Sequence, residues 1–341
     1  MRFVVYGAGA IGGVVGARLQ QSGHDVVLVA RGRHREVIAS AGLRLDTPDG
    51  SAVVEPPVVE HPDGLDWRID DVVLLCVKSQ HTEQALADLE TTAPATVPIV
   101  CLQNGVANEP AALRRFANVY GATVMCPSAF LEPGVVTAYS SPVTGVIDVG
   151  RFPRGVDDVT RTVRAALASS SFSSQPIGEI RRWKYRKLVT NLGNVIEAVC
   201  GPAARGGEVD DIAVAEGEAV LAAAGIAVAS RDEDARRRAD WIRLAPVAGR
   251  SRPGGSAWQS LHRGTGTIEV DYINGEVVML GRLHDVPTPC NALLRRLGSA
   301  MAAARRRPGT VSETELRALL DKESVTAVGW HRRAHAPPGS A

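Results

Sequence analysis

The apolar residues of the first 150 positions form short continuous runs, separated by segments with helical spacing. The strongest runs lie at residues 2–6, 25–30, 71–77 and 97–102. Weaker runs lie at residues 43–45, 53–58, 119–125, 135–138 and 146–149. Continuous apolar runs of this length are typical of parallel strands that are buried on both faces. Together with helical segments at residues 14–21 and 82–89, they predict a doubly wound α/β domain of the Rossmann type.

After about residue 150, helical spacing dominates the pattern. Helices are expected at residues 157–168, 179–200, 210–223, 267–283, 290–306 and 312–321, with a serine-rich turn at 169–174. We therefore predict three parts: an α/β Rossmann-type domain at residues 1–175, an all-α substrate domain at residues 176–326 and a flexible tail at residues 327–341.

Composition and charge narrow the class of protein. The 341 residues include 38 basic and 37 acidic side chains, and a net charge of +1 argues against a nucleic-acid partner. No apolar run reaches the roughly 20 residues of a membrane span, and the first run is too short for a signal peptide. We therefore expect a cytoplasmic protein. The five cysteines are scattered without a CxxC pair, which indicates reduced buried thiols, and no metal site is expected.

A glycine-rich turn follows the first predicted strand and precedes a helix. Gly7, Gly9 and Gly12 have the spacing of a dinucleotide-binding loop. The first glycine permits a tight turn, the second admits a pyrophosphate, and the third lets helix and strand pack closely. The amides of the helix N-terminus then attract the phosphates. The candidate cofactor-binding residues are Gly7, Ala8, Gly9, Ala10, Ile11 and Gly12. The alternative is a glycine turn that binds nothing.

The residues after the second strand indicate which dinucleotide is bound. An NAD site usually has a carboxylate there, which accepts a hydrogen bond from the ribose 2′-hydroxyl. This chain has Arg31 instead, with Arg33 nearby. Arginine can bind a 2′-phosphate through charge-assisted hydrogen bonds, so the expected cofactor is NADP(H). The alternative is that both arginines are ordinary solvated surface residues.

Two polar residues follow the next pair of predicted strands. Lys78 closes the run at residues 71–77, and Asn104 closes the run at residues 97–102. The carboxyl ends of strands in an open parallel sheet face the ligand crevice, so both residues are candidates for cofactor binding. The alternatives are a strand-end lysine in water and an ordinary turn asparagine before glycine.

Lysine is rare in this chain and occurs only at Lys78, Lys184, Lys187 and Lys322. Unlike arginine, lysine can be tuned to release a proton. If residues 179–200 form one helix, Lys187, Asn191 and Asn194 share an arc of about 60°. Lys187 on such a polar stripe can protonate a carbonyl oxygen as hydride reaches the carbon. The alternative is a hydrogen-bond network between helices. Lys184 lies about 60° off the stripe and is expected at the surface.

Two further candidates lie in the second half of the chain. Ser256 follows a loop at residues 249–255 and can donate a hydrogen bond to a substrate carboxylate. Glu269 is either a stabilising acid in the first turn of a helix or a residue of the active-site cleft.

In combination, these residues resemble the ketopantoate reductase (2-dehydropantoate 2-reductase) family over residues 1 to about 306. The resemblance rests on the order and spacing of Gly7, Gly9, Gly12, Arg31, Lys78, Gln103, Asn104, Arg186, Lys187, Asn191, Ser256, Glu269, Asp271, Asn274, Gly275, Pro287 and Pro289. The family implies reduction of a 2-keto acid by NADPH, giving pantoate on the route to pantothenate and coenzyme A. It also implies an N-terminal dinucleotide domain, a helical C-terminal domain with the site between them, and a homodimer.

The resemblance implies a role for each matching residue. Lys187 is the expected proton donor, and Asn104 and Glu269 are expected catalytic residues that also contact the cofactor. Asn191, Asn194 and Ser256 are expected to bind the substrate. Ala129 matches a cofactor-contacting backbone position more loosely.

Two departures from the family pattern concern residues that are expected to bind the substrate. The second helix asparagine usually follows the lysine by eight residues, but that position is Val195, and Asn194 comes one residue early. The segment from Ser256 to Glu269 is one residue longer than usual, with Ser260 where aspartate is common. NADPH-dependent reduction is therefore better supported than ketopantoate itself. The alternatives are a paralogue that reduces another small keto acid or a secondary-metabolite carbonyl, and an NADPH-binding sensor without turnover.

Overall fold

The computed structural model describes residues 1–334, with side chains described for residues 1–323. Its strands are β1 (Arg2–Tyr6), β2 (Asp25–Val29), β3 (Leu43–Thr47), β4 (Gly50–Val54), β5 (Val58–Val59), β6 (Asp71–Leu75), β7 (Ile99–Cys101), β8 (Val119–Met125), β9 (Ser128–Glu132), β10 (Val135–Ala138), β11 (Ser140–Pro142), β12 (Gly145–Arg151), β13 (Phe172–Ser173) and β14 (Ile242–Leu244). Its α-helices are α1 (Ala10–Gln21), α2 (Gly32–Ala41), α3 (Thr82–Thr92), α4 (Asn108–Leu113), α5 (Asp158–Ser169), α6 (Ile180–Thr190), α7 (Asn194–Cys200), α8 (Glu208–Ala223), α9 (Arg231–Arg238), α10 (Ser256–His262), α11 (Val270–Leu283), α12 (Pro289–Ala303) and α13 (Glu313–Ala334). The predicted tail overlaps the end of α13, and residues 335–341 lie outside the described residues.

An eight-stranded sheet forms the centre of the N-terminal half. Its strand order is β13-β12-β8-β7-β6-β1-β2-β5. The strands from β8 to β5 run parallel, and β12 pairs antiparallel with β8. The predicted class, a Rossmann-type α/β domain followed by a helical domain, is confirmed. The main sheet also explains the continuous apolar runs, because helices cover both of its faces.

Alternate residues of β1 belong to two different apolar cores. Phe3 and Val5 pack into the core shared with α1 and α5, whereas Val4 and Tyr6 pack into the core shared with α3 and α4. Each of these four side chains is at most 3% exposed. A strand buried on both sides has no polar face, which is why this run shows no alternation.

A second, four-stranded sheet has the order β4-β3-β10-β9. It packs against α1, where Gly13 makes room for Val136 of β10: a Cβ on Gly13 would lie 2.6 Å from Val136 Cγ1. Of these strands, β9 is absent from the sequence prediction. The structure also adds helices α2, α4, α9 and α10, and it places β13 inside the expected serine-rich turn.

The chain divides into two compact units whose boundaries differ from the predicted domain limits. The first unit contains Met1–Lys187 and Val228–Pro253, and the second contains Leu188–Ala227 and the chain from Gly254 onward. The predicted limit at residue 175 therefore lies inside the first unit. The helical second domain is interrupted in sequence, because Val228–Pro253 belongs to the first unit and contains β14, which pairs with β11.

Two ion pairs, one of them buried, hold the segment Val228–Pro253 against the rest of the first unit. Arg237 of α9 makes a bidentate contact with Asp148 of β12, with distances of 2.9 and 2.6 Å. Both side chains are nearly inaccessible, at 6% and 1% exposed. Arg182 of α6 makes a second bidentate pair with Glu233, at 2.8 and 2.6 Å. These long-range pairs leave no periodic pattern in the sequence, which explains why the return of the segment was not predicted.

The helix expected over residues 179–200 is in fact two helices, α6 and α7, separated by residues 191–193. In this turn, amides bond three residues back: Asn191 N–H donates to Leu188 O at 3.0 Å, and Asn194 N–H donates to Asn191 O at 3.0 Å. Gly193 packs so closely on Asp210 that a Cβ there would overlap the carboxylate. The arc predicted for Lys187, Asn191 and Asn194 assumed one unbroken helix, and that premise is wrong.

The second unit is built from helices α7, α8 and α10–α13. A buried polar network joins three of them. Asn291 of α12 donates to Ala213 O and to Glu216 of α8, and Asn274 of α11 donates to Asn291 Oδ1 at 3.0 Å. Among the described residues, no helix is long and apolar enough to cross a membrane.

Candidate active site

The glycine turn after β1 has the geometry of a phosphate-binding loop. Gly7 adopts a φ of 102°, and a Cβ there would lie 3.0 Å from Val77. A Cβ on Gly12 would overlap Gly7 O, so this position keeps α1 close to the strand. Gly9 differs, because no described atom lies within 4 Å of the position of a Cβ. The loop therefore leaves open space beside Gly9, the N-cap of α1, where a pyrophosphate fits.

Four neighbouring parallel strands end at the same level beside this loop. Tyr6 of β1 pairs with Val29 of β2 and with Leu75 of β6, and Leu75 pairs with Cys101 of β7. The cofactor candidates follow these ends: the glycine loop after β1, Arg31 after β2, Lys78 after β6 and Asn104 after β7. The structure thus brings these predicted residues to one edge of the sheet, where ligands bind in open α/β folds.

Arg31 is held by a carboxylate that sequence reasoning missed. Its Nη2 lies 3.1 Å from Asp88 Oδ2 and 3.4 Å from the hydroxyl of Tyr6. Asp88 also accepts hydrogen bonds from Tyr6 and Gln84, each at 2.7 Å. Burial acts to raise the pKa of Asp88, but the bonds from Tyr6, Gln84 and His61 outweigh it, and the pKa is lowered. The Arg31 side chain is 59% exposed, so it is accessible to an anionic ligand.

Asn104 lies in a turn whose backbone is fixed by side chains. Its carbonyl oxygen accepts from Asn108 Nδ2 at 2.8 Å and from Ser79 Oγ at 3.3 Å. The preceding residue, Gln103, donates through Nε2 to Val77 O at 2.9 Å. These bonds join the turn after β7 to the turn after β6, which carries Lys78.

His34 links the glycine loop to a neighbouring hairpin. Its Nε2 lies 2.7 Å from Ala8 O, and its Nδ1 accepts from Gly134 N–H at 2.9 Å. The two bonds require a neutral ring protonated at Nε2. Burial lowers the pKa of His34 and favours this form. The hairpin of β9 and β10 also carries Ala129, which is 3% exposed. No sequence pattern singled out His34.

Lys187 occupies the last turn of α6, as a helical residue, in agreement with the prediction. The expectation that Lys184 lies at the surface is wrong. Lys184 is 4% exposed, and its Nζ lies 2.5 Å from Glu109 Oε1. Arg186, next to Lys187, is also buried, and its Nε donates to Ala229 O at 2.5 Å. Both sides of α6 are covered within the first unit, so an angle away from the polar stripe did not mean exposure to water.

In the second unit, the structure brings Ser256 and Glu269 together. Ser256, the first residue of α10, donates through Oγ to Glu269 Oε2 at 3.4 Å. Glu269 is the N-cap of α11 and is 7% exposed. Ser260 donates to the backbone oxygen of Ser256 at 3.1 Å, so it supports α10. The carboxylate is therefore both a helix-start residue and the partner of a predicted substrate-binding residue.

Asn194 is engaged by an arginine that sequence reasoning missed. Arg205 donates through Nη1 to Asn194 Oδ1, and through Nη2 to Thr190 O at 3.0 Å. The same guanidinium lies 3.5 Å from Glu197, whose other oxygen accepts from Gly255 N–H at 2.9 Å. Arg205 and Glu197 thus connect the turn that carries Asn194 to the residue before Ser256. Asn191, in the same turn, is 5% exposed.

The described residues contain neither a cluster of metal ligands nor a reactive thiol pair. No group of three or more histidine, cysteine, aspartate or glutamate side chains is placed to hold a metal ion there. All five cysteines are reduced, and burial raises the pKa of Cys101 and of Cys290. Raised pKa values leave these thiols protonated and unreactive at neutral pH.

The fold and the glycine loop define the first unit as a Rossmann-like dinucleotide-binding domain. A family described as "Ketopantoate reductase PanE/ApbA" matches residues 3–154, and "Ketopantoate reductase PanE/ApbA C terminal" matches residues 179–302. The chain therefore belongs to the ketopantoate reductase family and is an oxidoreductase of the 2-dehydropantoate 2-reductase type. The family resemblance inferred from the sequence is confirmed.

Individual relatives are similar in sequence to this chain over nearly their whole length. The 2-dehydropantoate 2-reductase of Pyrococcus horikoshii is 27% identical, covering 88% of this chain and 97% of the relative. That of Halobacterium salinarum is 28% identical, covering 90% and 99%. The crystal structure of a PanE/ApbA family ketopantoate reductase from Ralstonia eutropha JMP134 is 26% identical, with a TM-score of 0.74 and coverage of 89% and 99%.

One similar structure carries a different enzyme name. The ternary structure of D-mandelate dehydrogenase with NADH and anilino(oxo)acetate is 22% identical, with a TM-score of 0.75. It covers 89% of this chain and 99% of its own. At this identity the similarity establishes the shared fold only.

Proposed function

We propose that this enzyme reduces 2-dehydropantoate (ketopantoate) to pantoate with NADPH, on the route to pantothenate and coenzyme A. The observation that carries the proposal is the alignment of four strand ends beside the open glycine loop. This edge presents Arg31 after β2, where an NAD site would have a carboxylate. NADPH supplies the hydride when bound. The chain's own residues then bind the substrate, orient it and deliver the proton.

Each candidate residue has a defined part in this proposal. The amides at the start of α1 and the space beside Gly9 receive the pyrophosphate. Arg31 binds the 2′-phosphate through charge-assisted bonds. Lys78 and Asn104 contact the cofactor from the ends of β6 and β7. Ala129 contributes a backbone contact from β9.

The substrate side is assigned by match to the family. Lys187 donates its proton to the carbonyl oxygen as the carbon receives hydride, which leaves a neutral amine and a hydroxyl group. Asn191, Asn194 and Ser256 bind the keto acid. Glu269, bonded to Ser256, orients that hydroxyl and contacts the cofactor.

The experiment that tests this proposal is NADPH oxidation by the purified protein, followed by absorbance. Ketopantoate is compared with a panel of other 2-keto acids, and NADH with NADPH. Fast oxidation of NADPH with ketopantoate, and slow oxidation with the other keto acids or with NADH in place of NADPH, supports the proposal. Tight NADPH binding without turnover of ketopantoate contradicts it.

A second candidate is the reduction of another small 2-keto acid. One observation favours it: Arg205 donates to the side-chain oxygen of Asn194, a position that already departs from the family spacing. Turnover of a panel member in preference to ketopantoate would identify this alternative.

Two expectations from the sequence stay predictions. A homodimer is expected from the family, and light scattering of the purified protein tests it. A cytoplasmic location is also expected, and fractionation of the producing cells tests it.

A further inference from the structure

Lys184 and Glu109 form an ion pair in the interior of the first unit. Their Nζ and Oε1 atoms lie 2.5 Å apart, and the side chains are 4% and 1% exposed. Lys184 is on α6, three residues before Lys187, and Glu109 is in the first turn of α4. Two apolar residues are often at least as stabilising as a buried ion pair. Stability alone is therefore a weak reason for this pair.

The neighbouring strand leaves space for the pair. Gly121 lies on β8, and a Cβ at this position would be 3.2 Å from Glu109 Oε1 and 3.4 Å from Lys184 Cδ. Even an alanine at this position would require the Glu109 carboxylate to shift by a few tenths of an ångström. Burial raises the pKa of Glu109, and the ammonium of Lys184 opposes that change. The charge of the carboxylate thus depends on its partner.

A chain of hydrogen bonds runs from Lys184 to the turn that carries Asn104. Lys184 Nζ donates to Gln103 O at 2.9 Å. Gln103 Nε2 donates to Thr82 Oγ1 at 2.8 Å, and that hydroxyl donates to Asn108 Oδ1 at 2.8 Å. Asn108 Nδ2 in turn donates to Asn104 O at 2.8 Å. Every link in this chain lies inside the first unit.

We propose that the Lys184–Glu109 pair is a positioning device for the reduction: it fixes α6, and with it Lys187, against the turn that carries Asn104. The proposal rests on the proposed function, in which Lys187 and Asn104 act on the substrate and cofactor. Lys184 and Glu109 touch neither ligand and act only through these two residues. A displacement of about 1 Å between reacting groups can reduce a rate by about a hundredfold.

The test replaces both charges in one variant, Lys184→Met with Glu109→Met. This keeps the length of the Glu109 side chain, shortens that of Lys184 by one atom and leaves no unpaired buried charge. The measurements are the melting temperature, the Kd for NADPH, and kcat and KM for the keto acid that the wild type turns over. Lys322→Met is the matched control, because it removes an exposed lysine far along the chain.

The proposal expects kcat to fall by about tenfold to a hundredfold, while the melting temperature and the Kd for NADPH stay close to the wild type. A folded double variant with kcat and KM within about twofold of the wild type overturns it, since the pair would then be structural only. If the double variant does not fold, Glu109→Gln decides the question in the same assays. This variant keeps an oxygen acceptor for Lys184, and an unchanged kcat overturns the proposal.

A second measurement requires no turnover and separates this proposal from the proposed function. Amide hydrogen exchange in residues 102–108 and 180–190 should be faster in the folded variant than in the wild type. If the wild type reduces none of the keto acids, the proposed function fails, and the exchange result still judges the positioning role. Exchange at wild-type rates in both segments overturns it.

Discussion

The backbone amide of Gly134 donates a hydrogen bond to Nδ1 of His34 at 2.9 Å, while Nε2 of the same ring lies 2.7 Å from Ala8 O. The imidazole thus joins the hairpin of β9 and β10 to the glycine loop. Protonation of Nδ1 would place two N–H groups against each other. The bridge therefore exists only while His34 is neutral, and burial lowers the pKa of His34 accordingly.

This bridge predicts a loss of stability in acid. The unfolded chain keeps the ordinary histidine pKa of 6.5, so it binds the proton before the folded protein does. The free energy of unfolding should therefore fall below about pH 6.5, by at most about 1.4 kcal/mol per pH unit for this group, and be unaffected above it. Urea unfolding of His34→Gln should show a shallower decline than the wild type. His284→Gln, at an exposed position, should follow the wild type. Identical profiles for His34→Gln and the wild type would contradict the assignment.

Cofactor preference should depend on Arg31. Arg31→Ala should weaken NADPH binding by about tenfold to a hundredfold, as expected for the loss of charge-assisted bonds worth about 1.5–3 kcal/mol. NADH binding should change by no more than about twofold. Fluorescence titration with both cofactors measures the two Kd values. Arg33→Ala is the matched control, since Arg33 is 74% exposed and paired with Glu36. A parallel loss for both cofactors would remove Arg31 from the 2′-phosphate site.

Turnover should depend on the ammonium group of Lys187. Lys187→Ala should lower kcat by about 10²- to 10⁴-fold, the usual contribution of a general acid, while the Kd for NADPH stays near the wild-type value. Steady-state kinetics and a binding titration on the same preparation separate the two effects. Lys322→Ala should behave as the wild type. Undiminished activity in Lys187→Ala would exclude this lysine as the proton donor.

The same substitution at two loop glycines should have opposite effects. Gly9→Ser adds a side chain where no described atom lies within 4 Å, and serine suits an N-cap. Stability should be retained, but the Kd for NADPH should rise by about tenfold or more because the pyrophosphate loses its space. Gly12→Ser instead pushes a side chain against Gly7 O and Cys76, and should destabilise the fold by about 1–3 kcal/mol. Thermal unfolding and cofactor titration of both variants test the contrast. Equal melting temperatures for the two variants would contradict it.

The local patterns of the first half were sufficient to predict its fold. A parallel strand covered on both faces must be apolar throughout, so each central strand is visible as a continuous run. The glycine loop is equally local, because its turn, its open N-cap and its close packing all depend on residues 7–12. Hence the position of Arg31, Lys78 and Asn104 at one edge of the sheet was predictable from the sequence, whereas their contacts with a cofactor stay a prediction.

Long-range partners decided the features that sequence reasoning missed or placed wrongly. Lys184 was expected in water, but Glu109, 75 residues earlier, accepts its charge in the interior. The helix through residue 191 was expected to continue, but it is interrupted by a tight turn at residues 191–193, where Gly193 packs against Asp210. Likewise, the arginine-rich α9 has no apolar face from which its place in the first unit could be predicted. There, Asp148 balances the buried charge of Arg237.

The sequence by itself therefore determined the fold class, the family and the identity of the candidate chemistry, because each depends on residues that are close along the chain. Only the tertiary structure decided which charged side chains are buried, where the long helix ends and which residues support the candidates. Those outcomes depend on desolvation and pairing between distant segments, and neither leaves a periodic trace in the sequence.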